Sequence, residues 1–173
     1  WMFAPDGRAC FVRSSPDGEA LAAVGEDGAR SQTIVAAKEI AEAVRKLGFA
    51  GDPRRLPPLA FGDGGRTVLF TARSADGKKA GRVRLVLATG EATLSVAHPA
   101  DAEAVVYARE DRVAYVAGRD VYVGFPGGEV RRVTTGGGPD LKHGLSAHRE
   151  EFGIKDGLPP VVTRRTSPPG KPT

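Results

Sequence analysis

Five Asp-Gly pairs, Asp6-Gly7, Asp17-Gly18, Asp27-Gly28, Asp63-Gly64 and Asp76-Gly77, cut the first half of the chain into short segments. Glycine after aspartate supplies the positive φ that two-residue hairpin turns require. Glycine accounts for 23 of 173 residues and asparagine is absent, so tight turns fall to glycine. The phrases "FAPDGRACFV" (3–12) and "SSPDGEALAAV" (14–24) each follow a Pro-Asp-Gly turn with alternating apolar residues. That is the hairpin pattern, and it predicts a mainly β chain.

One segment departs from this period. In "QTIVAAKEIAEAVRKLG" (32–48), Ile34, Ala37, Ile40, Ala41, Val44 and Leu47 recur at steps of three and four. This predicts an inserted helix over 32–48, capped by Ser31, with Arg45 and Lys46 in its last turn and Gly48 beyond its end. "GDPRRLPP" (51–58) then breaks regular structure with three prolines. Strands are expected near 58–62, 67–73, 82–88 and 92–98, then near 104–109, 112–118, 120–126 and 129–135.

Internal similarity groups these strands. "GGRTVLFTA" (64–72) resembles "EDRVAYVAG" (110–118), "LATGEATLSV" (87–96) resembles "FPGGEVRRVT" (125–134), and "PDGRACFV" (5–12) echoes the first phrase again. Repeats of about 40 residues with four strands each suggest propeller blades. The expected fold is a partial β-propeller of about two to three four-stranded blades, occupying residues 1–153. A β-sandwich is the competing architecture. Residues 154–173 are expected to form a disordered Pro-rich tail, because 157–173 hold five of thirteen prolines and no apolar period.

Composition removes several function classes. The net charge is +4, but three of those charges fall beyond Gly153, which leaves no basic stripe for nucleic acid. The lone Cys10 sits in an apolar run and rules out an intrachain disulfide framework and a cysteine zinc cluster. No run of eighteen apolar residues exists, so no membrane-spanning helix is expected. The chain opens at Trp1, without a start methionine or signal segment, and its native N-terminus is expected to be missing or processed. G-x-S-x-G, G-x-x-x-x-G-K-[ST] and H-E-x-x-H are all missing. No catalytic residue and no cofactor are therefore expected in this chain.

The densest polar stretch is "HGLSAHREEFG" (143–153). His143, His148 and Glu151 are of types that ligate zinc, but a spacing of five positions between the histidines suits neither a helix face nor a strand face. Glu150 and Glu151 could equally be an ordinary solvated pair. A third reading makes them an ammonium clamp, since two carboxylates in a cavity hold a protonated amine strongly.

The run from Asp111 to Gly153 resembles the N-terminal propeller of the dipeptidyl peptidase IV family of serine peptidases. The residues that carry the resemblance are Val121-Tyr122-Val123, Arg132-Val133-Thr134-Thr135-Gly136, His143-Gly144 and Glu150-Glu151. Residues 36–72 and Leu87–Glu91 are similar to further family phrases, and the resemblance covers roughly 5–153. It implies that Glu150 and Glu151 bind the free amino terminus of a peptide substrate, and that this chain gates and recognises without catalysing. It also implies that the hydrolase domain lies outside the chain as a missing partner, and it favours a periplasmic or secreted compartment over a cytoplasmic one, which the residues themselves leave open. Ala147, His148 and Arg149 stand where the family carries aromatic residues. The alternative is a propeller-type interaction module, which the Pro-Asp-Gly phrases fit equally well. In either case an incomplete propeller leaves strand edges open to self-association.

Overall fold

The computed structural model describes residues 2–25, 28, 30–108 and 111–137. All five Asp-Gly glycines have positive φ, between 64° and 120°, and the turns they make set out three antiparallel sheets. The first sheet runs β1 (Met2–Phe3), β2 (Ala9–Ser15), β3 (Gly18–Val24) and β4 (Ser31–Ala36) in chain order. After α1 (Ala37–Lys46), the second holds β5 (Phe49–Ala50), β6 (Ala60–Gly62), β7 (Thr67–Ser74), β8 (Lys79–Val86) and β9 (Ala92–Pro99). The third runs β10 (Glu103–Tyr107), β11 (Val113–Ala117), β12 (Asp120–Gly124) and β13 (Val130–Arg132). The chain is mainly β, and three consecutive meanders are consistent with a partial propeller. The repeated phrases at 5–12, 64–72 and 110–118 end in or span β2, β7 and β11, the second strand in the order of each sheet.

The helix is shorter than its apolar period predicts. Residues 32–36 belong to β4, where Val35 pairs with Leu21 and Thr33 with Ala22. Thr33, Ile34 and Val35 form a β-branched run that fits a pleated surface better than a helix. The cap is therefore not Ser31. Glu39 closes the first turn, its Oε2 accepting the Ala36 N–H at 2.7 Å, one half of a capping box. The far end agrees with expectation, with Arg45 and Lys46 in the last turn and Gly48 at φ +78° beyond it.

Two apolar layers hold the sheets together. Cys10, Leu21, Ala23 and Val35 of the first sheet meet Ile40 and Val44 of α1 and Phe70, Val83 and Leu85 of the second. On the opposite face of the second sheet, Val96 meets Val113 and Tyr115 of the third. The middle sheet is thus covered on both faces. Val68 and Val83 of this sheet, Val44 of α1 and Val113 of the third sheet are fully buried, each worth roughly 1.5–3 kcal/mol over an exposed side chain.

The outer edge of β7 carries a broken strand. Phe49 and Ala50 pair with Ser74 and Arg73, and pairing resumes only at Ala60 opposite Leu69. The residues between leave the sheet, as Pro53, Pro57 and Pro58 require, since proline cannot donate to a ladder. They cross to the first sheet instead. The Arg54 carbonyl accepts the Glu19 N–H at 2.9 Å, and Glu19 Oε2 accepts the Leu56 N–H at 2.8 Å.

Candidate functional site

Glu150 and Glu151, with His143 and His148, lie outside the described residues, as does the expected tail at 154–173. Among the described residues, the principal buried polar cluster sits between the second and third sheets, around the remaining histidine, His98.

Strand alternation places it there. Val96 and His98 are two apart on β9 and share the face that meets the third sheet. His98 is 7% exposed. Its Nδ1 lies 2.7 Å from the Pro99 carbonyl, which can only accept, so Nδ1 carries the proton. Nε2 is then free to accept from the Tyr107 hydroxyl at 2.8 Å. Thr71 Oγ1 donates to the same hydroxyl at 3.4 Å, a long bond. Tyr115 lies 5.8 Å from the His98 ring and stacks on Tyr122 at 5.7 Å. The Arg82 guanidinium covers the Tyr107 ring at 5.4 Å.

This environment keeps the phenols protonated. Burial pushes the Tyr107 hydroxyl up, against smaller opposing effects of the Thr71 hydrogen bond and the Arg82 charge. Burial, with Tyr122 beside it, raises Tyr115 as well. Between a phenol and a carbonyl, the imidazole has among the described residues no carboxylate to orient it as a base and no nucleophile to activate. The cluster works as a hydrogen-bonded joint between sheets. Nothing in the sequence singled out His98, because one histidine on an alternating strand looks like any half-buried polar residue.

A second joint lies close by. Arg84 reaches Asp111 at 2.9 Å and Asp63 at 3.4 Å, tying turns of two sheets together. Both aspartates have positive φ, +50° for Asp63 and +55° for Asp111, which suits short polar turn residues. Arg84 Nε is buried and has no partner among the described residues.

The third cluster anchors the third sheet's last hairpin. Asp120, 5% exposed, accepts from Arg132, from Thr134 Oγ1 at 3.0 Å and from the Gly137 N–H at 3.3 Å. Burial alone would raise its carboxyl, but the Arg132 and Thr134 bonds outweigh that and hold it below the ordinary carboxylate range. Arg132 and Thr134 belong to the Arg132–Gly136 phrase and Gly137 follows it, so a phrase read from sequence as a family mark has a local structural use here. Among the described residues, no three His, Cys, Asp or Glu side chains converge as metal ligands. Nor is any helix among them long and apolar enough to cross a membrane.

No family profile matches the chain, and no curated protein does. Among solved structures it is similar to a Bacteroides ovatus chain provisionally named dipeptidyl aminopeptidase IV, with 13% identity and a TM-score of 0.36. The match covers 78% of this chain and 26% of that one, so this chain spans about a quarter of that protein's length.

Proposed function

We propose that the chain is an N-terminal propeller segment of a serine peptidase of the dipeptidyl peptidase IV type. In this reading it gates access and recognises the peptide amino terminus, while hydrolysis belongs to a separate domain. The carrying observation is the order of the family phrases along one stretch, from Val121-Tyr122-Val123 through Arg132–Gly136 to Glu150-Glu151. Three consecutive antiparallel meanders on the preceding residues support it as the expected architecture.

Glu150 and Glu151 would hold the substrate ammonium by charge-assisted hydrogen bonds. Fixing that end sets the distance to the bond cleaved, which is what confines release to dipeptides. The test has two arms. The isolated chain is expected to show no turnover of a Xaa-Pro chromogenic amide, and turnover would show that catalysis does not lie elsewhere. A full-length relative with both matching glutamates replaced by alanine is expected to lose activity, and unchanged activity would remove the clamp.

A further inference from the structure

The outer edge of β7 has a gap that lies inside the chain's own ladder. The Ala75 N–H donates to the Gly48 carbonyl at 3.2 Å on that edge, and the Leu87 N–H to the Arg66 carbonyl at 3.0 Å on the β8 side. Hydrogen-bonded pairs alternate along an antiparallel ladder. Counted from either bond, Leu69, Thr71 and Arg73 turn their N–H and C=O groups outward, while Val68, Phe70 and Ala72 bond to β8. Arg73 meets Ala50 and Leu69 meets Ala60. The peptide groups of Thr71, between them, meet no backbone partner among the described residues. The crossing is kept from swinging back into the gap, because Glu19 holds Arg54 and Leu56 to the first sheet.

A cavity of about 310 Å³ opens on this gap. Its floor is apolar, with Ile40 and Val44 of α1 beside Phe70 and Ala72 of β7, all at most 8% exposed. Asp52 and Arg55 of the crossing stand on its wall. Asp52 Oδ1 accepts the Arg54 N–H at 2.8 Å, which closes its own turn. Arg55 has no carboxylate within ion-pair distance among the described residues. Arg73 also borders the cavity, but alternation puts its side chain on the face of Thr71, whose hydroxyl donates to Tyr107 of the third sheet. Arg55 is therefore the cation placed to meet a ligand in the gap.

We infer that the gap is a binding site for a small N-acylated amino acid. Its amide N–H donates to the Thr71 carbonyl and a carboxylate oxygen accepts the Thr71 N–H, the two bonds that one residue of an antiparallel strand would make. Arg55 meets the carboxylate in a charge-assisted hydrogen bond. The acyl chain lies opposite Ala72, shares its face and enters the apolar floor. Length decides for a small molecule over a peptide strand. Ala50 and Ala60 stand opposite residues four apart, so roughly 14 Å of strand separates them and this chain walls both ends. The inference is independent of the peptidase reading.

The probe is isovalerylglycine, titrated into the isotopically labelled chain while amide and methyl resonances are followed. Saturable shifts are expected at the Thr71 amide and at the methyl groups of Ile40 and Val44. Isovalerylsarcosine, which lacks the amide donor, should bind about tenfold more weakly or not at all. The probe's methyl ester should lose about tenfold with its charge. Arg55 is exposed, so Arg55→Gln leaves the core intact. That variant should bind the acid about tenfold more weakly and the ester unchanged. Absence of shifts at millimolar probe, equal binding of the sarcosine analogue, or equal losses for acid and ester in Arg55→Gln would overturn the inference. So would a pentapeptide ending in Val-Gly that shifts Thr71 with the probe's affinity, since a peptide end would then be the occupant.

Discussion

Gly18 and Arg54 approach so closely that a Cβ on Gly18 would stand 3.0 Å from the Arg54 Cα and 3.1 Å from the Pro53 carbonyl oxygen. Gly18 also has φ +120°, a conformation that side chains rarely adopt. The contact joins the β2–β3 hairpin to the excursion in the outer strand of the second sheet. Gly18→Ala therefore combines backbone strain with a collision against main chain that cannot rotate away. It should cost about 1–3 kcal/mol or more, read as a lowered urea midpoint. Gly77→Ala, at φ +70° with nothing within 4 Å of its Cβ, isolates the strain and should cost less.

Tyr107→Phe tests the joint around His98. It removes the donor to Nε2 and leaves a buried ring nitrogen without a partner. Such a loss costs about 1–3 kcal/mol. Tyr122→Phe removes a hydroxyl from the stacked pair that makes no such bond among the described residues, and should fall within about 0.5 kcal/mol of the parent. Equal effects on the urea midpoint would show that His98 and Tyr107 are not coupled.

The Asp120 cluster predicts acid sensitivity with a definite sign. Its folded carboxyl titrates below the ordinary value of 3.8, so the folded state binds the proton less readily than the unfolded chain. The resulting stability is present above that ordinary value and is lost as pH falls from about 4 downward through the folded value. Asp120→Asn should be less stable at neutral pH and should show a shallower decline on acidification. The measurement is urea unfolding at a series of pH values.

Truncating the first apolar layer should cost most. Phe70 is 4% exposed and packs in the layer that joins α1 to the first two sheets. Phe70→Ala should cost about 3–5 kcal/mol. Val130→Ala, at a side chain 47% exposed, should fall within about 0.5 kcal/mol of the parent. A thermal melt of each variant distinguishes the two.

The strands were legible because their signals are local. The Asp63-Gly64 and Asp76-Gly77 turns bracket β7, and alternation between other glycine-containing turns places β9, β11 and β12 within a few residues of their observed bounds. The helix start was misread because Ile34 fits the apolar period of α1 as well as the strand it occupies, and only its β-branched neighbours distinguish the two. The joints between sheets were not legible at all. His98 to Tyr107, Arg84 to Asp111 and Gly18 to Arg54 are contacts between different sheets, or between a hairpin and a distant loop. No period or motif marks which residues will meet. The glutamate pair at 150 and 151 was marked by family phrasing and stands outside the described residues.

The order of strands within each sheet bears on how the chain reaches its native state. Almost every ladder joins segments that are consecutive or nearly so along the backbone, so each meander can zip from its own turn while the rest is still random coil. Closing such short loops carries little entropic cost. The ties that must wait are the Glu19 bonds to Arg54 and Leu56, the latter spanning 37 positions, and the polar joints between sheets. Local zippering first and docking of preformed sheets second is the sequence of events this topology favours, with the proline-rich crossing as its slow, late clasp.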